Sequence, residues 1–105
     1  MNNKKTVYQL GDLAAKAQAT IQANFSQINP VVNISHKLRE QGFAADTLTI
    51  EHQASDKRLL MVVHDNSQSV DVEWGALSKD PTMDFTSWPT SLITEQQFYQ
   101  WMSEL

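Results

Sequence analysis

Apolar residues recur at steps of three and four from Leu10 to Ile28: Leu10, Leu13, Ala14, Ala17, Ile21, Phe25 and Ile28. That spacing lays one apolar stripe along an amphipathic helix. Asp12, Lys16, Gln18, Gln22 and Gln27 fall off the stripe, and Thr6 with Gln9 has the spacing of a capping box. Pro30 predicts an end to this helix, because the residue before proline avoids the helical region. Asn29-Pro30 then suits the N-cap and first position of a second helix, over 30–41, with Val31, Ile34 and Leu38 as its apolar stripe. Lys37 and Arg39 sit where cations favour the helix dipole. Gly42 suits the left-handed residue beyond the helix end, with Phe43 placed for an apolar contact on Leu38.

From Asp46 the period changes to two. Leu48, Ile50 and His52 alternate with Thr47, Thr49, Glu51 and Gln53. Arg58 to His64 is apolar on both faces, and Val70, Val72 and Trp74 alternate with Asp71, Glu73 and Gly75. Three strands with short polar connections predict an antiparallel meander. With Asp56-Lys57 and Asn66-Ser67 as two-residue turns, Ile50 faces Val63 and Val70, His52 faces Met61 and Val72, and Ala54 faces Leu59 and Trp74. All of these share one side of the sheet, where the helices are expected to pack.

Residues 77–92 contain Pro81 and Pro89 and read as an ordered loop pinned by Met83, Phe85 and Trp88, with 85–88 able to form a short edge strand. Thr94 to Gln97 is a second capping box, flanked by a hydrophobic staple of Ile93 and Phe98. Phe98, Trp101, Met102 and Leu105 give the stripe of a last helix. The expected fold is α+β in two layers: two N-terminal helices, a three-stranded meander, an ordered loop and a C-terminal helix. Residues 1–105 are read as one domain with a frayed start at 1–8.

Composition narrows the chemistry. The chain has 105 residues, 41 % apolar and 19 % charged, with no cysteine and a formal charge of −4. The first three figures describe an ordinary globular chain. The absence of cysteine removes disulfides, thiolate metal sites and thiol nucleophiles. An acidic balance without a basic run argues against nucleic acid as a partner. No apolar run has the length of a signal peptide or a membrane span, so a cytoplasmic protein without membrane contact is expected.

The expected register places Thr49, His64 and Ser69 in one row of the other sheet face. Glu51, Val62 and Asp71 form the next row, and Gln53, Leu60 and Glu73 the third. Acidic residues thus surround the aliphatic pair Leu60 and Val62, the arrangement of a dry interface centre with a polar rim. Glu51 and Asp71 lie about 9–10 Å apart, two strand spacings. His64 sits diagonally between them. An open sheet offers no cleft to desolvate such a pair, so no catalytic, metal or cofactor site is assigned there. His36 reads as solvated and His52 as a hydrogen-bonded residue on the core side.

Two functions remain in view. The first is a non-enzymatic interaction or adaptor domain that uses Glu51, Leu60, Val62, His64, Asp71 and Glu73 to bind another protein or a second copy of itself. The alternative is a small ligand-binding protein or enzyme, with a pocket between the 77–92 loop and the sheet in which Trp74, Phe85 or Trp88 stacks on the ligand.

Overall fold

The computed structural model describes residues 6–105. Helix α1 (Val7–Asn24) leads to strand β1 (Val31–Ser35), the short helix α2 (Lys37–Glu40) and the strands β2 (Ala45–His52), β3 (Lys57–His64), β4 (Ser69–Ala76) and β5 (Thr86–Pro89). Helix α3 (Glu95–Ser103) ends the chain. The five strands form one antiparallel sheet in the order β1-β2-β3-β4-β5. The architecture is therefore α+β, as expected. The expected three-stranded meander becomes five strands, and the two expected N-terminal helices become a helix, a strand and a single helical turn.

Helix α1 begins where its sequence directs. Thr6 accepts from the Gln9 N–H while the Gln9 side chain accepts from the Thr6 N–H, completing the capping box. Of the expected frayed segment 1–8, residues 1–5 lie outside the described residues, and Thr6 to Tyr8 form the cap and first turn. The helix stops at Asn24 rather than at Pro30, with Phe25 as its C-cap and 43 % exposed.

The segment 30–41 corrects the second-helix expectation. Val31, Val32 and Ile34 are β-branched and fit a pleated strand better than a helix turn. Paired with β2, they put Val32 opposite Ile50 and Ile34 opposite Leu48, both packed against the core. A helix there would offer only the narrow stripe of Val31, Ile34 and Leu38. The C-terminal half of the expectation survives: Gly42 has φ +96°, the Phe43 N–H bonds to the Leu38 carbonyl at 2.9 Å, and the Gly42 N–H to the Arg39 carbonyl at 3.1 Å. This is a helix end closed through a left-handed glycine. Phe43 itself is 59 % exposed.

The β3–β4 register is the expected one, with Met61 opposite Val72 and Leu59 opposite Trp74. The β2–β3 register is displaced by four residues, so Ile50 faces Leu59 and Leu48 faces Met61. The cause is the connection. Gln53–Ser55 forms a 3-10 turn and Asp56 turns left-handed at φ 56°, lengthening the expected two-residue turn. An even displacement leaves each side chain on its original sheet face, so the core assignment holds although the partners change.

Helices α1 and α3 cover that core face. Leu10, Ile21, Leu48, Ile50, Leu59, Met61, Phe98 and Met102 are fully buried there. Each contributes about 1.5–3 kcal/mol by leaving water. Thr94 caps α3 by accepting from the Gln97 N–H, and Ile93 and Phe98 are both buried at its start. Trp74 does not join the core; it lies at the sheet end and is 42 % exposed.

Helix α1 lies close on β1. A Cβ added at Gly11 would stand 2.8 Å from the Ile34 Cδ1. Gly11→Ala sets a gain in helix propensity of about 1 kcal/mol against displacement of that methyl group. Removing the methyl with Ile34→Val frees the gain. Urea unfolding should therefore show Gly11→Ala to be more favourable in the Ile34→Val background than in the native one. Equal effects in both backgrounds would contradict this close packing.

Candidate functional site

The sheet face turned away from α1 and α3 carries the residues singled out in the sequence, in rows set by the actual register. Ser35, Thr47, Val62, Asp71 and Ser87 form one row across all five strands. Asn33, Thr49, Leu60 and Glu73 form the next, and Val31, Glu51, Arg58 and Gly75 the third. Glu51 thus stands opposite Arg58 rather than beside Val62. Gln53 leaves the face for the turn. His64 faces Ala45 and reaches diagonally to Asp71, with Nε2 to Oδ2 at 3.1 Å. Leu60 is half-buried, whereas Val62 is only 7 % exposed. The centre of this face is a sunken valine beside a partly exposed leucine.

Glu73 has a different role from an open rim residue. Its Oε2 accepts from the Thr82 hydroxyl and, at 3.0 Å, from the Asp84 N–H. These bonds draw the loop after β4 over the edge of the face and hold the Glu73 carboxyl below its usual range, the Thr82 bond being the main cause. The loop is pinned again at its start. Asp56 accepts from the Ser78 N–H and hydroxyl, and Arg58 donates to the Lys79 carbonyl. Polar groups therefore fix residues 77–84, in place of the expected Met83, which is 65 % exposed with φ 66°. Phe85 is half-buried at the loop's end, and the following residues pair as β5.

The three rings of the stacking alternative do not meet in one site. Trp88 packs edge-on against Trp101, with centroids 5.2 Å apart, and Trp101 packs likewise on Phe98. Trp74 instead borders an open hollow with Lys57, Gly75 and Glu104. A cavity of about 150 Å³ does lie between the loop and the sheet, lined by Arg58, Glu73, Trp74 and Thr82 among others, without Phe85 or Trp88. It is smaller than the usual pocket for an organic ligand.

A polar cluster at the opposite end of the sheet was not anticipated. Arg39 donates to both Asp46 carboxyl oxygens, at 3.2 and 2.8 Å, and to both Asp65 oxygens, at 3.0 and 2.8 Å. His36 meets Asp46 through Nδ1 at 2.6 Å and Tyr8 through Nε2 at 2.8 Å. An ionised carboxylate only accepts, so Nδ1 carries the proton toward Asp46, and a neutral ring accepts from the Tyr8 hydroxyl at Nε2. His36 is thus a half-buried bridge, not the solvated residue expected. The cluster borders a hollow of about 310 Å³ lined by Tyr8, Arg39, Asp46, His64 and Asp65 among others. Every charged group in it already has a partner, which suits a clamp joining α1, α2, β2 and the β3–β4 turn better than a reactive centre. Among the described residues no group of three or more His, Cys, Asp or Glu is placed to hold a metal ion.

Arg39 holds the Asp46 and Asp65 carboxyls below their usual range, and the two carboxylates raise the Arg39 guanidinium above its own. A lowered folded pKa adds stability above the unfolded value of about 3.9, and that stability is lost as pH falls through the folded value. Arg39→Gln should therefore lower the melting temperature at neutral pH, and its gap to wild type should narrow below about pH 4. Circular dichroism melts across the pH range would show this. A gap independent of pH would mean that the clamp is not electrostatic. Comparison of the chain with protein-family models, with curated proteins and with solved structures finds no match.

Proposed function

We propose that the protein is a non-enzymatic interaction domain that docks a partner protein on its uncovered sheet face. The observation that carries this reading is the arrangement around Leu60. A partly exposed leucine and a sunken valine lie at the centre of a face that neither α1 nor α3 covers. Polar uncharged residues flank them on the β1–β2 side: Asn33, Ser35, Thr47 and Thr49. Carboxylates stand around them, Glu51 and Asp71 on the strands and the exposed Asp80 and Asp84 on the loop. Arg58 and Lys79 are outnumbered by these carboxylates and Glu73, which leaves the rim with an acidic surplus. The occupant that fits is a protein surface with an apolar group inside a basic rim. The aromatic rings support the ligand-binding alternative less well, because Trp88 is committed to packing on Trp101.

Val62 is a poor position for testing this, since a charge at a residue so buried unfolds as readily as it repels. Leu60 and Asp71 are the informative positions. A synthetic amphipathic peptide of Leu and Lys serves as the probe. In NMR titrations of the isotope-labelled chain, it should shift the amides of Thr47, Thr49, Leu60 and Asp71 first. Leu60→Glu should abolish those shifts, and Asp71→Asn should weaken binding while the melting temperature is retained. Shifts that centre on α1 or α3, or that persist in Leu60→Glu, would overturn the proposal.

A further inference from the structure

Two charged residues adjoin Leu60 on the open face. Arg58 lies two residues before it on the same side of β3, and Glu73 stands opposite it on β4. Both are tied to the loop that follows β4. Arg58 donates to the Lys79 carbonyl at 3.2 Å, and Glu73 accepts from the Thr82 hydroxyl and the Asp84 N–H. Residues 79–84 therefore form a strap along the face beside Leu60. Its ends are fixed by Ser78, which donates to Asp56, and by the start of β5.

The ties that hold the strap between those ends are polar. Lys79 to Asp84 are all exposed, so no apolar side chain of the strap is anchored in the core. Met83 is left-handed at φ 66°, an unfavourable conformation for a residue other than glycine. A segment with few buried contacts opens more easily than the sheet it lies on. The closed strap also leaves Glu73 incompletely satisfied. Only 7 % of Glu73 is exposed, and its Oε1 has no hydrogen-bond partner among the described residues. A buried carboxylate oxygen without a donor is destabilising. A lysine or arginine side chain forms stronger, charge-assisted bonds to a carboxylate than a hydroxyl and one backbone N–H do.

We propose that residues 79–84 are an autoinhibitory strap, which competes with the partner's basic rim for the Glu73 carboxylate and opens when that partner docks beside Leu60. This inference rests on docking at the open face and adds its regulation. Closed, the strap takes up Glu73 with its own donors. Open, it carries Lys79, Asp80 and Asp84 away and presents Glu73, the carboxylate directly opposite Leu60. Arg58, released from Lys79, keeps Glu51 opposite it on β2 as a counter-charge. A partner without a basic group for Glu73 has nothing to offset the lost strap bonds, so the strap selects for the basic rim as well as delaying it.

Thr82→Val removes one strap donor at an exposed position with little change of shape. Hydrogen exchange at the Asp84 amide reads the strap directly, because that N–H donates to Glu73. Exchange there should be at least about tenfold faster in Thr82→Val than in wild type, with the melting temperature retained. The Leu and Lys peptide should bind Thr82→Val several-fold more tightly, because less of the chain is held closed. Glu73→Gln in the same background keeps an acceptor for the strap without its charge, and should remove that gain. In wild type the peptide should speed Asp84 exchange. Asp84 exchange unchanged by Thr82→Val, or slowed by the peptide in wild type, would overturn the proposal. Equal peptide affinity in the two chains would overturn the strap alone, whereas no binding by either would overturn docking at this face and the strap with it.

Discussion

A chain of this size has helices for only one side of a five-stranded sheet, and the rest of the structure depends on that constraint. Helices α1 and α3 supply the apolar stripes of Leu10, Ala14, Ala17 and Ile21 and of Phe98, Trp101 and Met102. Together they cover the side bearing Leu48, Ile50, Leu59, Met61, Val70 and Val72. Side chains alternate strictly between faces, so the burial of one side fixes what the other displays. Polar and acidic residues therefore collect on the uncovered face, with Leu60 and Val62 as its apolar centre. Among the described residues, the same constraint leaves β1 at the sheet edge, held down by α1 and paired with a strand on one side only.

Much of this was legible in the sequence where the signal is local. The Thr6 capping box, the Gly42 helix end, the β3–β4 register and the period-two core of β2–β4 each depend on residues a few positions apart. Strand β1 was not legible, because five residues of Val, Val, Asn, Ile and Ser fit a weak helical stripe as well as a strand. Only pairing with β2, through Val32 and Ile34, decides between the two. The β2–β3 displacement was hidden in the left-handed Asp56, which no sequence rule for two-residue turns marks. Face assignment survived because the error was even.

The candidate site was partly legible for the same reason. Alternation placed Glu51, Leu60, Val62, His64, Asp71 and Glu73 on one face, and all six lie there. Their partners were not legible. Glu51 stands opposite Arg58 in the ladder and accepts from Asn33, Glu73 is taken up by the loop, and Val62 sinks below its neighbours. The Arg39 clamp left no trace in the sequence at all. Its carboxylates lie 7 and 26 residues away, and nothing in their spacing marks them. Sequence patterning reports faces well and long-range polar pairings poorly, and the clamp belongs to the second kind.

The central claim is that the sheet is covered on one side only. Methyl-resolved NMR with a soluble paramagnetic probe tests it directly, because attenuation falls steeply with distance from solvent. The account predicts strong attenuation for the Leu60 methyls and weak attenuation for those of Leu48, Ile50, Leu59 and Met61, with Val62 in between. Leu60 protected to the same degree as Leu59 at low protein concentration would mean that a second layer covers the face, and would contradict the account.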